Sequence, residues 1–83
     1  MVNIKVDEGK RLLYNKRRID ELLIEYGYKI DKGLCGSTIF NGNSEIGRYT
    51  YMWTCDIYGP TSLFMPVAEA IEKELGIEVM IYE

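Results

Sequence analysis

Three observations predict an α+β domain, a four-stranded antiparallel sheet with two helices packed on one face. Both ends of the chain alternate apolar and polar residues, with Val2, Ile4 and Val6 near the start and Ile77, Val79 and Ile81 near the finish. Two other stretches, around Ile19–Tyr26 and Phe64–Leu75, repeat apolar residues at helical spacing. Between them, Asn41-Gly42 signals a tight hairpin, because a primed turn needs positive φ at both central residues. At 83 residues the chain is read as one domain over 1–83, long enough to bury a little over ~60% of its extended surface in a single small core.

The alternation of Val2, Ile4 and Val6 predicts a short first strand with one buried face. From Asn15 onward Ile19, Leu22, Leu23 and Tyr26 share one helical face, Arg17, Arg18, Glu21 and Glu25 take the other, and Gly27 supplies the stop. Residues 8–14 fit two readings: an extension of this helix capped by Asp7, or a second small strand after a turn at Asp7-Glu8-Gly9. Tyr28-Lys29-Ile30 resumes extended structure, and Gly33 and Gly36 bend or bulge the strand that ends at Ser37–Phe40. After the Asn41-Gly42 turn, Arg48–Tyr58 reads as one long strand dense in aromatic and β-branched residues, broken by Gly59-Pro60. Thr61 is placed to cap a helix whose apolar face is Phe64, Val67, Ala68, Ile71 and Leu75, with either a kink at Pro66 or a proper start near Met65, and a stop at Gly76. Residues 77–82 close the sheet beside residues 2–6.

The resulting order, strand, helix, strand, strand, helix, strand, resembles the ferredoxin-like split βαβ arrangement. The resemblance covers the whole chain and rests on element order. Because that superfold hosts unrelated functions, it implies a shape and no activity.

Composition narrows the chemistry. There is no histidine, which removes Ser-His and Cys-His nucleophiles and His-ligated zinc. Cys35 and Cys55 belong to no metal-spaced cluster and are expected as reduced, packed thiols rather than a disulfide or shared metal ligands. No apolar run approaches the ~20 residues of a membrane span, and no basic-then-apolar leader opens the sequence, so no membrane partner and a cytoplasmic location are expected. Residues 33–83 carry Arg48 and Lys73 against seven carboxylates, whereas residues 1–32 carry eight cations against six, so the net charge of −3 divides into a basic and an acidic part. Such a molecule suits docking by complementarity better than coating a phosphate backbone.

Three surfaces are candidates for function. Tyr49, Tyr51, Trp53, Cys55 and Ile57 share one side of the long strand. Gly47–Met52 is similar to the RNA-recognition-motif signature in its Tyr-x-Tyr spacing, although the Arg-Gly order is reversed and the first strand lacks the aromatic. This side reads as core. The alternative is a base-stacking platform of Tyr49, Tyr51 and Trp53, aided by Arg17 and Arg18 from the basic cluster of the first helix. The other side, with Met52, Asp56 and Tyr58 beside Lys5, Met80 and Tyr82, is expected to face solvent and suits a protein interface. Glu69 and Glu72, with Glu74 and Glu78, form an acidic surface on the second helix that could answer a basic groove. The Gly33 and Gly36 segment does not fit GxxxxGK[ST] and is read as structural.

The function expected is a non-catalytic protein-binding module without cofactor or metal, of the kind that includes phage or mobile-element inhibitors docking on a larger enzyme or nucleoprotein complex. The alternatives are a single-stranded nucleic-acid binder and a small-ligand sensor that pairs edge strands into a homodimer.

Overall fold

The computed structural model describes residues 4–52 and 54–83. Their order is α1 (Ile4–Glu25), β1 (Lys29–Lys32), β2 (Gly36–Asn41), β3 (Ser44–Tyr51), β4 (Cys55–Tyr58), α2 (Thr61–Leu75) and β5 (Val79–Tyr82). The strands form one five-stranded sheet in sequence order. β1 to β4 are antiparallel neighbours, and β5 lies parallel to β4. The class is α+β as expected, but the four-stranded antiparallel sheet and the ferredoxin-like order are not what the chain adopts.

The differences have local causes. Residues 4–6 are the first turn of α1, not a strand; Val2 lies outside the described residues. Lys and Arg with Leu12 and Leu13 favour helix on either side of Gly9, so helix propagates back from the amphipathic segment and residues 8–14 join it. The stretch from Lys29 to Phe40 is a hairpin of two strands and not one bent strand, with Gly33 N–H bonded to Gly36 O at 2.8 Å across the loop. The expected Arg48–Tyr58 strand reverses after Tyr51, which pairs with Cys55. With residues 4–6 in α1 rather than in the sheet, β5 returns through α2 and lies beside β4, a βαβ crossover.

Other features follow the sequence closely. Asn41 pairs with Ser44 across the predicted turn, where Gly42 has φ 66°. A bulge then shifts the register between Ile39 and Phe40. Gly76 closes α2 at φ 67°, its N–H bonded to Glu72 O at 2.9 Å. Thr61 is the first residue of α2; Pro60 occupies the cap position and no side chain caps the helix.

Alternate residues of each strand meet the helices. Ile39, Tyr49, Tyr51, Cys55 and Ile57 from the sheet, Ile19, Leu22 and Leu23 from α1, and Phe64, Val67, Ala68 and Ile71 from α2 form the core. Phe64 lies at its centre, tilted against Tyr28 with ring centroids 5.6 Å apart. Its ring rests on the backbone of Gly47 and Gly59, where any added side-chain carbon would collide with it. On α1 Leu12 packs against this core, whereas Leu13 is 72% exposed and Tyr14 is exposed beside it.

Candidate functional site

Because both helices lie on the face carrying Tyr49 and Ile57, the opposite face of the sheet is left open among the described residues. The register brings Asp56 beside Met80, and Tyr58 beside both Tyr82 and Arg48. Tyr58 and Tyr82 stack with centroids 5.3 Å apart and an interplanar angle of 22°, and the Arg48 guanidinium sits 4.5 Å from the Tyr58 ring centroid. Arg48, Tyr58 and Tyr82 thus form a continuous flat cluster, held by ring stacking and a cation–π contact. Met80 and Tyr82 remain 42% and 46% exposed, large apolar areas that no described element covers. By register the same face carries two cations, Lys29 and Arg48, against three carboxylates, Asp31, Glu45 and Asp56. Its charge is therefore mixed, unlike the basic stripe of a phosphate-tracking surface.

The predicted docking residues divide by place. Asp56, Tyr58, Met80 and Tyr82 come together on the open face, and exposed Met52 lies just past β3 at the turn into β4. Glu69 and Glu72 are exposed on α2, across the sheet from that cluster. Glu72 is partly engaged, since its Oε2 accepts the Val79 N–H at 3.1 Å. Lys5 belongs to α1 and not to the sheet.

The predicted stacking platform is not presented. Tyr49 and Tyr51 are 1% and 6% exposed beneath the helices, and Trp53 lies outside the described residues. Arg17 is exposed, but Arg18 is taken up by Glu21 at 3.2 Å, Glu25 at 2.9 Å and Glu74, carboxylates that raise its pKa further above the ordinary arginine value. The structure turns the hydroxyls of both tyrosines into the underside of α1.

What they meet there was not anticipated. Asp20 is buried, and its Oδ1 accepts hydrogen bonds from Ser37 Oγ at 2.8 Å and from the Tyr49 hydroxyl, while Lys16 Nζ reaches its Oδ2 at 3.1 Å. Asn15 Nδ2 donates to the Tyr51 hydroxyl at 2.9 Å. Burial, then the Asp20 hydrogen bond, raises the Tyr49 pKa well above its usual value. All buried side-chain polar atoms among the described residues are satisfied, and this network fixes α1 to β2 and β3. The available signal was helical phase: Asn15, Ile19 and Leu22 lie at i, i+4 and i+7, which places a polar side chain on the buried face.

Cys55 and Cys35 are both unpaired, as expected, but only Cys55 is packed. Burial, with help from Asp56, pushes its thiol up to about 12. Cys35 is exposed at the rim of a shallow recess of about 230 Å³ bounded by Asp31, Thr38, Arg48 and Thr50. That volume is below the ~300 Å³ at which small-molecule pockets begin. Among the described residues no helix is long and apolar enough to cross a membrane. Compared with known proteins, the chain matches no family model, no curated protein and no solved structure.

Proposed function

We propose that this chain is a non-catalytic protein-docking module whose contact surface is the open face of the sheet, centred on Tyr58 and Tyr82. The observation that carries the reading is the stacked pair itself. Two tyrosines, an arginine and a methionine are held in a flat, uncovered layer on a rigid sheet, the residue types that anchor protein interfaces, with charges of both signs around them. The mixed charge favours a folded protein surface over a nucleic-acid backbone as the partner. An inhibitor that occludes a site on a larger enzyme or nucleoprotein complex is the most specific form of this reading. The exposed, unpaired Cys35 suits a reducing, cytoplasmic setting.

The test is Tyr58→Thr combined with Tyr82→Thr, which removes both rings and puts a strand-favouring, β-branched residue at each position. Cross-linked capture from a lysate should lose a partner that the parent protein retains, while the variant remains cooperatively folded by thermal melting. Unchanged capture would overturn the assignment of the face. Tight binding of a single-stranded oligonucleotide, falling steeply with salt and lost in the variant, would replace the docking reading with a nucleic-acid one.

A further inference from the structure

Resting on the docking reading, we propose that β5 accepts an extended, cationic segment of the protein partner as an added strand. β5 is an edge of the sheet. The bonds from Cys55 N–H to Glu78 O at 3.0 Å and from Gly59 N–H to Tyr82 O at 2.8 Å show that the even-numbered residues face β4. By strand alternation Val79 and Ile81 then turn their backbone groups outward. Glu72 Oε2 meets the Val79 N–H, and no described element lies beyond the backbone groups of Ile81.

The two edges of the sheet are built differently. β1, Lys29–Lys32, is charged at every position except Ile30, a common guard against unwanted strand pairing. β5, Val79–Tyr82, has no charge in the strand, and Met80 and Tyr82 stand exposed along it. At its ends and along its outer side the charges are carboxylates: Glu78 before the strand, Glu83 after it and Glu72 at its outward N–H, with no Lys or Arg from residue 74 to the end; Arg48 lies on the β3 side of Tyr58, away from the free edge. A second copy of β5 would bring these same carboxylates together and repel. A second copy's β1 would add head to tail, a heterologous contact that builds rings or open chains rather than a simple pair, and β1 carries its own guarding charges. The occupant that fits is a strand of another protein with alternating apolar residues and lysine or arginine at the others, which the three glutamates would pair. On docking, Glu72 would release the Val79 N–H to the incoming backbone and turn to a cation. Backbone pairing supplies the affinity, and the carboxylates with the Met80 and Tyr82 side chains select the sequence.

The probe is an acetylated, amidated seven-residue peptide of alternating lysine and valine, added to the isotope-labelled chain and followed by amide NMR. Amide shifts should concentrate on β5 and exchange of the Ile81 amide should slow. The same peptide with its three central amides N-methylated keeps its charge but loses the N–H donors at its centre, and should bind about tenfold more weakly or worse. Glu78→Gln should weaken the parent peptide about two- to fivefold, and a glutamate-valine peptide should not bind. Equal binding of the N-methylated peptide, or shifts lying away from β5, would overturn the proposal. If the lysine-valine peptide fails while the Tyr58- and Tyr82-dependent partner is still captured, the strand-addition inference falls alone. If both fail, the docking reading falls with it.

Discussion

Four tyrosines of the sheet divide between its two faces and do opposite things there. Tyr49 and Tyr51 lie under the helices, where burial requires each hydroxyl to find a partner, and Asp20 and Asn15 supply them. Tyr58 and Tyr82 lie on the open face, where their rings stack on each other with Arg48 at 4.5 Å from Tyr58 and the hydroxyls can be met by water. The residue type is the same, and strand parity with register decides the role. One face is therefore expected to carry stability and the other recognition. Substitutions should separate the two.

The largest effect is expected from the residue that locks the covered face. Phe64 is fully buried against Gly47 and Gly59, backbone that cannot collapse far into a void. Phe64→Ala should cost about 3–5 kcal/mol, much of the ~5–15 kcal/mol such a domain possesses. Denaturant unfolding would measure it, and a loss under ~1 kcal/mol would contradict the assigned core.

Next is the hydroxyl that distinguishes the covered tyrosines from the open ones. Tyr49→Phe keeps the ring and leaves buried Asp20 short of one donor, at a cost of about 1–3 kcal/mol by the same measurement. A neutral result would mean that Ser37 and Lys16 satisfy Asp20 by themselves.

That hub was the least legible part of the chain, and the reason is general. Asp20 and Ser37 are 17 positions apart and Asp20 and Tyr49 29, so no local pattern joins them. Local signals succeeded where one residue sets the geometry, as Gly42 and Gly76 do at positive φ, or where a face repeats over several turns, as in α2. The reversal after Tyr51 was hidden for a subtler reason. Because Tyr51 pairs with Cys55 and Tyr49 with Ile57, residues of like parity keep to one face across the turn. A period-two pattern therefore runs unbroken through a hairpin, and the sequence reads as one long strand. The same parity is why the open-face set of Asp56, Tyr58, Met80 and Tyr82 was legible even though the strand count was not. Three alternating residues at the start could not outvote the helix behind them.

Alkaline pH offers a graded test of the covered face. Tyr49 and Cys55 are neutral when protonated, and burial raises both pKa values, that of Cys55 from an ordinary 9 up to about 12. The unfolded chain thus releases these protons first as pH rises. Their contribution is complete below about pH 9 and is lost above it, at up to about 1.4 kcal/mol per pH unit for each group. The unfolding midpoint should fall between pH 9 and 11, and Cys55→Ala should flatten the early part of that fall. Alkylation gives the companion result: the folded chain should label rapidly at exposed Cys35 alone, and at both thiols once unfolded. Rapid labelling of Cys55 in the folded chain would place it outside the core.

The smallest effect on stability is expected on the open face, and its smallness is what makes it informative. Tyr82→Phe removes a hydroxyl that has no hydrogen-bond partner among the described residues, and leaves the ring free to stack on Tyr58. The unfolding free energy should stay within ~0.5 kcal/mol of the parent, as for other exposed substitutions. The matched change at Tyr49 should cost several times more, although both delete one oxygen from one tyrosine of the same sheet. If the docking surface reads Tyr82 through its ring, capture of the partner should also survive Tyr82→Phe and be lost in Tyr82→Thr. If it reads the hydroxyl, Tyr82→Phe should lose the partner while the melt is unchanged. A destabilisation equal to that of Tyr49→Phe would show that the open face is not open, and that some element covers Tyr82 in the native chain.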